Sequence, residues 1–163
     1  MLTKSRFYHQ VTKYNPLFRN EQGHYLLDEW TSISDIGKDF AGQRLHLDEY
    51  LAVEARYVQA VQLFFAGSEQ VSLESVETSW AEDADDLLRP VCQQVVNGCR
   101  RFPYAALPDL VRLALREILW FRLVDDTGAK AVEFGYDYYM YLGYEVADPE
   151  CFEKIEQLPL FIS

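Results

Sequence analysis

The stretch FGYDYYMYLGYE, residues 134–145, constrains the fold of this chain more than any other segment. It holds five of the eleven tyrosines, and its residues alternate with period two, which is typical of a β-strand. We therefore predict one long strand with two distinct faces. The first face is strongly apolar and carries Phe134, Tyr136, Tyr138, Met140, Leu142 and Tyr144. The second face combines tyrosines, carboxylates and glycines, and carries Gly135, Asp137, Tyr139, Tyr141, Gly143 and Glu145.

This strand is predicted to lie in the middle of an antiparallel sheet. Residues 118–124, ILWFRLV, are a nearly continuous apolar run of strand length, and the Asp-Asp-Thr-Gly that follows is a turn signal. The chain would then return through residues 131–144 as the partner strand. Alternation predicts further strands over 7–14 and 71–76, and residues 25–27 are expected to pair with the first of them.

The clearest helix is predicted over residues 47–66, where apolar residues recur at steps of three and four and Gly67 is placed to end the helix. Shorter helices are expected within 87–101, 108–117 and 148–157. The 163 residues suffice for one domain with a proper core. We predict a single α+β domain over residues 1–163, with a central antiparallel sheet and helices packed on one face.

Glu54 falls between Leu51 and Val58 on the apolar stripe of the predicted helix. A carboxylate in that position must be paired, hydrogen-bonded or protonated. It is either a catalytic acid with a raised pKa or a structural carboxylate bonded to a tyrosine hydroxyl, backbone amides or an arginine. We favour the structural interpretation, because no second acid or histidine is arranged with it in the sequence.

The charge balance points to a protein partner. Twenty-six acidic residues against fifteen basic ones give a formal net charge of −11, which disfavours nucleic acid and anionic membranes and would steer a basic protein towards the chain. No run of eighteen apolar residues occurs, and the first ten residues lack the apolar region of a signal peptide. Three cysteines in no metal-like spacing fit a reducing compartment. We therefore expect a cytoplasmic protein.

The candidate partner-binding surface lies in an acidic segment, residues 74–86, which carries six carboxylates and no basic residue. A tryptophan among acids suits a basic partner, since aromatic side chains are frequent interface anchors. The residues of this first candidate are Glu74, Glu77, Trp80, Glu82, Asp83, Asp85 and Asp86. The second candidate consists of Asp137, Tyr139 and Tyr141.

Motifs for nucleotide, zinc, calcium or serine-hydrolase chemistry are absent, and the three histidines stand at no ligand spacing. We expect no cofactor, no metal site and no catalytic residue. One short match, Asp126-Thr127-Gly128-Ala129, resembles the signature of retroviral-type aspartic proteases, in which two aspartates share a proton. The favoured interpretation is a turn, since Asp125 precedes it as a second turn-forming residue.

Three segments resemble a family of small bacterial proteins, the immunity proteins of polymorphic toxin systems, including contact-dependent growth inhibition. They are VTKYNPLFRNEQGHYLLDEWTSISDIG, LDEYLAVEARYVQAVQL and FGYDYYMYLG, and the likeness spans about residues 7–66 and 118–145. His46 departs from the Ser or Thr expected before the helix, which weakens its cap. The resemblance implies a cytosolic non-enzyme that binds one cognate toxin domain stoichiometrically, and such toxins are often basic nucleases.

Two alternatives from other classes stay open at this stage. The chain could be a small acid-dependent hydrolase that uses Glu54 or Asp126. It could also be a generic interaction subunit of a larger complex, for which the same acidic segment would serve.

Overall fold

A computed structural model describes residues 6–163; the first five residues of the stretch on which the signal-peptide expectation rests lie outside the described residues. The helices are Leu47–Phe64 (α1), Arg89–Val96 (α2), Leu107–Leu115 (α3) and Pro149–Glu156 (α4). The strands are Phe7–Thr12 (β1), Asp39–Phe40 (β2), Gln43–Arg44 (β3), Gln70–Glu77 (β4), Arg101–Pro103 (β5), Trp120–Asp125 (β6), Lys130–Phe134 (β7), Met140–Tyr144 (β8) and Phe161–Ile162 (β9).

Seven strands form one antiparallel sheet in the order β5–β4–β6–β7–β8–β1–β9, and β2 and β3 form a separate small hairpin. The helices pack against this sheet, so the predicted α+β class, with a central antiparallel sheet and helices packed against it, is confirmed. The predicted 118–124 strand is β6, shifted by two residues at its start. Within residues 6–163, no helix is both long and apolar enough to cross a membrane.

Helix α1 packs against α3 and α4, and its apolar residues share one core with those of the sheet, as their spacing predicts. Its buried face is rotated relative to the expected stripe: Leu47 and Leu51 are exposed, whereas Val53 and Ala60 are buried. His46 precedes the helix without a side-chain cap bond, in agreement with the weakened cap. The helix ends at Phe64, just before Gly67 with a φ of +92°.

The prediction of one long strand over residues 134–145 is wrong, because a tight turn over residues 135–139 separates β7 from β8. Asp137 and Tyr138 adopt φ values of +59° and +66°, in the left-handed region outside regular strand geometry. Tertiary contacts hold this turn: the Tyr57 hydroxyl donates to the Tyr138 carbonyl at 2.8 Å, and the Tyr14 hydroxyl donates to the Asp137 carbonyl at 2.7 Å. Of the second predicted face, only residues 141 and 143 remain within a strand.

The Tyr138 ring anchors the same turn in the core. It makes edge-to-face contacts with Trp30, Tyr50 and Tyr57 at centroid distances of 5.2, 5.9 and 5.2 Å. Tyr50 and Tyr138 also share a short hydroxyl–hydroxyl bond, and burial raises the pKa of Tyr138 well above the usual phenol value. A neutral phenol therefore sits at the point where residues 134–143 meet the 28–30 loop and α1.

The expected hairpin between residues 25–27 and the first strand is also wrong. Tyr25 forms only an isolated bridge with Arg19. Strand β1 instead lies between β8 and the C-terminal strand β9, because its apolar residues, such as Val11, face the same core as those of β8. The C-terminal tail is thus held on the body of the fold by the pairing of β9 with β1.

Candidate functional site

The acidic segment lies at one end of the sheet, where buried side chains anchor it. It begins at the last residues of β4, passes through a 3-10 turn over Ala81–Asp83, and enters α2. Buried Ala84 and Leu88 anchor it to the core, while the Trp80 side chain remains 58% exposed. An exposed tryptophan on an anchored loop is a preorganised contact, since few side-chain rotamers must be ordered on binding.

Three of its carboxylates are engaged within the fold. Glu74 pairs with Arg122 at 3.4 Å, and Asp86 pairs with Arg89. Asp85 accepts the Leu88 backbone N–H at 2.9 Å and also pairs with an arginine of α3's C-terminal end at 3.2 Å. These three acids therefore shape the loop and are poor choices for direct contact with a partner.

The other three carboxylates, Glu77, Glu82 and Asp83, make no hydrogen bond or ion pair among the described residues. All three are exposed and surround the Trp80 side chain in the sequence. Because no local cation neutralises them, they carry the negative field of this loop.

The 135–139 turn, which carries part of the second candidate, lies at the same end of the sheet as the acidic segment. Glu77 is opposite Trp120 at the start of β6, and Arg122 is opposite Glu133, which places the 135–139 turn beside that start. The rings of Trp120 and Tyr136 confirm this arrangement, with their centroids 5.0 Å apart. Tyr136 is 71% exposed and so provides a second aromatic contact near Trp80's loop.

The three residues of the second candidate differ in whether they are free to contact a partner. Asp137 is exposed at the turn, and its carboxylate makes no hydrogen bond or ion pair in the described part of the chain. Tyr139 is engaged, since its hydroxyl accepts from Arg19 at 2.6 Å. Tyr141 lies on the helix-free face of the sheet, in register with Glu133, and Trp120 belongs to the same face. Of the three residues, Asp137 is the one whose exposed, unpaired carboxylate lies near Glu117.

Sequence reasoning missed Glu117, which follows α3 with a φ of +59°. Burial first, and then the nearby charge of Asp137, raise the pKa of this carboxyl above its usual value. Glu117 has no hydrogen-bond or ion-pair partner among residues 6–163, so two unpaired carboxylates lie close together here. No local sequence pattern indicates that Glu117 lies close to Asp137. The position of Trp120, by contrast, could be inferred from the sequence. Strand alternation places it on the face opposite the core residues Phe121 and Leu123.

We call the resulting region the acidic end surface. Its eight residues are Glu77, Trp80, Glu82, Asp83, Glu117, Trp120, Tyr136 and Asp137. The neighbouring arginines are already paired with other carboxylates. Arg116 binds Glu54 and Asp85, and Arg122 binds Glu74 and Glu133. The surface therefore offers unpaired carboxylates beside exposed aromatic rings, a combination that suits lysine and arginine side chains.

Glu54 is a structural carboxylate, as favoured from the sequence. It is 1% exposed and accepts two hydrogen bonds from Arg116, at 2.7 and 2.8 Å, and one from Tyr50 at 3.0 Å. The hydrogen bonds that Arg116 donates to Glu54 are the main reason why the pKa of Arg116 is raised. Since Arg116 also holds Asp85, this buried pair ties the acidic loop to the core.

The segment Asp125–Gly128 forms the turn between β6 and β7, so its interpretation as a turn is confirmed. Asp125 organises it: its carboxylate accepts from the Thr127 hydroxyl at 2.9 Å and from the Lys130 backbone N–H at 3.2 Å. Asp126 is exposed and accepts the Glu69 backbone N–H at 3.3 Å. Asp125 thus organises the turn, and Asp126 links it to the residue before β4.

Comparisons with known protein families, with characterised proteins and with solved structures give no match to this chain. Across residues 6–163, no group of three or more histidine, cysteine, aspartate or glutamate side chains is arranged to hold a metal ion.

Proposed function

We propose that this protein is an immunity-type inhibitor that binds one basic toxin domain through the acidic end surface. One observation carries the proposal. Five unpaired carboxylates from three separate segments converge around exposed aromatic rings, and the neighbouring arginines are already engaged with other acids.

The physical properties of this surface fit tight protein recognition. Aromatic anchors supply most of the binding energy in typical interfaces, and here Trp80 and Tyr136 are the exposed ones. The surrounding carboxylates would steer a basic partner and speed its association. The anchors lie on a loop and a turn that are both tied to the core, so little conformational entropy is lost on binding.

A basic partner follows from the charge of the surface and from the chain's net charge of −11. Nuclease toxin domains are basic where they hold the phosphate backbone, so an acidic inhibitor can cover that region directly. The resemblance of three segments to immunity proteins supports the same partner class. An inhibitor of this kind needs no catalytic group, and it acts in the cytoplasm of the cell that makes the toxin.

The direct test is co-expression with the C-terminal domain encoded by the reading frame immediately upstream. We expect that domain to arrest growth alone, and to be harmless and co-purify with this chain when both are made. A domain that is harmless alone, or that does not bind, would contradict the proposal.

A charge-reversal experiment tests the surface. We expect the triple variant Glu77→Lys, Glu82→Lys and Asp83→Lys to slow association with the toxin domain by about tenfold or more at low salt, with a weaker salt dependence. The control reverses three unpaired acids elsewhere, Glu21, Glu153 and Glu156. Both variants change the net charge equally, from −11 to −5, since each of three reversals adds two charges. Equal effects of the two variants on association would show that overall charge, and not this surface, drives binding.

A further inference from the structure

A second candidate site is a cavity of about 260 Å³ between α1, the 28–30 loop and the β2–β3 hairpin. The hairpin wall is well defined. Ala41 and Gly42 have φ values of +50° and +80°, typical of a tight type I′ turn, and the Asp28 carboxylate accepts the Ala41 N–H at 3.0 Å. Leu45 continues the wall, bonded through its backbone to Gly37 and Lys38.

An ion pair between a buried lysine and a partly exposed glutamate lines the inner wall of the cavity. The Lys13 side chain is only 5% exposed, and its ammonium lies 4.1 Å from the Trp30 ring centroid and 2.8 Å from Glu29. The second Glu29 oxygen accepts from the Tyr25 hydroxyl at 2.9 Å. Burial lowers the pKa of Lys13, and the bond to Glu29 opposes that effect. Lysine and glutamate thus neutralise each other here and leave the cavity's other charges to act on a ligand.

Two charged groups on the cavity's helical wall have no partner. Among the described residues, Arg56 is the one partly buried cationic side chain that makes no hydrogen bond or ion pair. Glu49 lines the same cavity, and its carboxylate is likewise unengaged. The Arg56 nitrogens and the exposed Glu49 carboxylate both reach solvent, so each is available to pair with a ligand in the cavity.

The spacing of these two groups defines the ligand. Glu49, Val53 and Arg56 stand at positions i, i+4 and i+7 and therefore share one face of α1. The charges project from backbone positions about 10 Å apart along the helix axis. Val53 lies between them, and Phe40 and Trp30 add apolar lining. A ligand that matches this wall carries a negative group, a positive group and an apolar body.

We infer that this cavity binds a free α-amino acid with an apolar side chain. Its carboxylate pairs with the guanidinium of Arg56, its ammonium pairs with the carboxylate of Glu49, and its side chain packs on Val53 and Phe40. This inference does not depend on the inhibitor function, because the cavity shares no residue with the acidic end surface.

The test uses L-leucine as the probe, followed by amide shifts in ¹H–¹⁵N spectra of the full chain. We expect saturable shifts in residues 49–56 at ligand concentrations up to about 10 mM. Leucinamide lacks the carboxylate and 4-methylpentanoate lacks the ammonium, so each should bind at least about tenfold more weakly.

Two arginine variants provide matched controls. Arg56→Met should weaken L-leucine binding by about tenfold or more. Arg101→Met, which alters an unpaired but exposed arginine on β5, should leave it unchanged. Since Arg56 has no partner in the fold, both variants should keep the wild-type urea midpoint. The inference is overturned if L-leucine produces no shifts, if the shifts map outside the cavity, or if the two variants bind equally well.

Discussion

Replacing Glu54 by glutamine should cost about 3 kcal/mol of folding free energy, because it removes one charge from a buried ion pair and leaves the other in place. The carboxylate is 1% exposed and receives both hydrogen bonds of a bidentate pair with Arg116. It also receives the hydroxyl of Tyr50 at 3.0 Å. Glutamine keeps the size of the side chain, so the change tests charge and not packing.

The magnitude follows from what Arg116 retains. Breaking a buried pair from one side typically costs about 3–5 kcal/mol, since the remaining charge stays desolvated. Here Arg116, whose side chain is 12% exposed, keeps its contact with Asp85 at 3.2 Å, which argues for the lower end of that range. With a urea slope of about 2 kcal/mol/M, the midpoint should fall by about 1.5 M.

The assay is urea unfolding at pH 7, followed by tryptophan fluorescence. The control is Glu150→Gln, which breaks the exposed pair with Lys154 at 3.5 Å and should leave the midpoint nearly unchanged. The double variant Glu54→Met with Arg116→Leu should recover much of the loss, because no buried charge remains. A loss below about 1 kcal/mol in Glu54→Gln, with an unchanged slope, would refute this account of the pair. A stable Glu54→Gln variant that had lost a hydrolytic activity would instead support the hydrolase alternative.

Two further predictions concern the acidic end surface. Trp80→Ala and Tyr136→Ala should each weaken toxin binding by about 2 kcal/mol, whereas Leu17→Ala, which removes an 84% exposed side chain elsewhere, should leave the Kd unchanged. Burial and the charge of Asp137 raise the pKa of Glu117 above its ordinary value of 4.5. The favourable contribution of this group to the free energy of unfolding is therefore complete below pH 4.5, and it is lost as the pH rises through the raised pKa. Glu117→Gln should therefore be more stable than the wild type at pH 7 and equal to it in acid, and a gain in the urea midpoint that did not vary with pH would contradict this.

Much of the fold was predictable because its signals are local. Helix α1 was found from apolar steps of three and four, β1 and β4 from alternation, and β6 from a nearly continuous apolar run before a turn signal. The turn at 135–139 was missed for a physical reason. Its residues alternate as in a strand, but buried hydroxyls of Tyr14 and Tyr57 bind its carbonyls and hold a left-handed backbone there.

The candidate site was predicted in part. The sequence shows that residues 74–86 are acidic and carry Trp80, but it does not show that Asp85 and Asp86 are engaged while Glu82 and Asp83 are free. That distinction depends on arginines from other elements. Arg116 reaches Asp85 only because a buried Glu54, sixty-two residues away along the chain, orients its guanidinium.

The sequence by itself determined the class of fold, the strong negative charge and the absence of recognisable catalytic motifs, because these depend on composition, periodicity and short patterns. Only the tertiary structure decided which acids remain unpaired, and that Asp137 and Glu117 stand beside the acidic loop. It also decided that Arg56 lacks a partner in a cavity wall. The physical reason is that pairing and burial are set by contacts between residues distant in the chain, which no local pattern encodes.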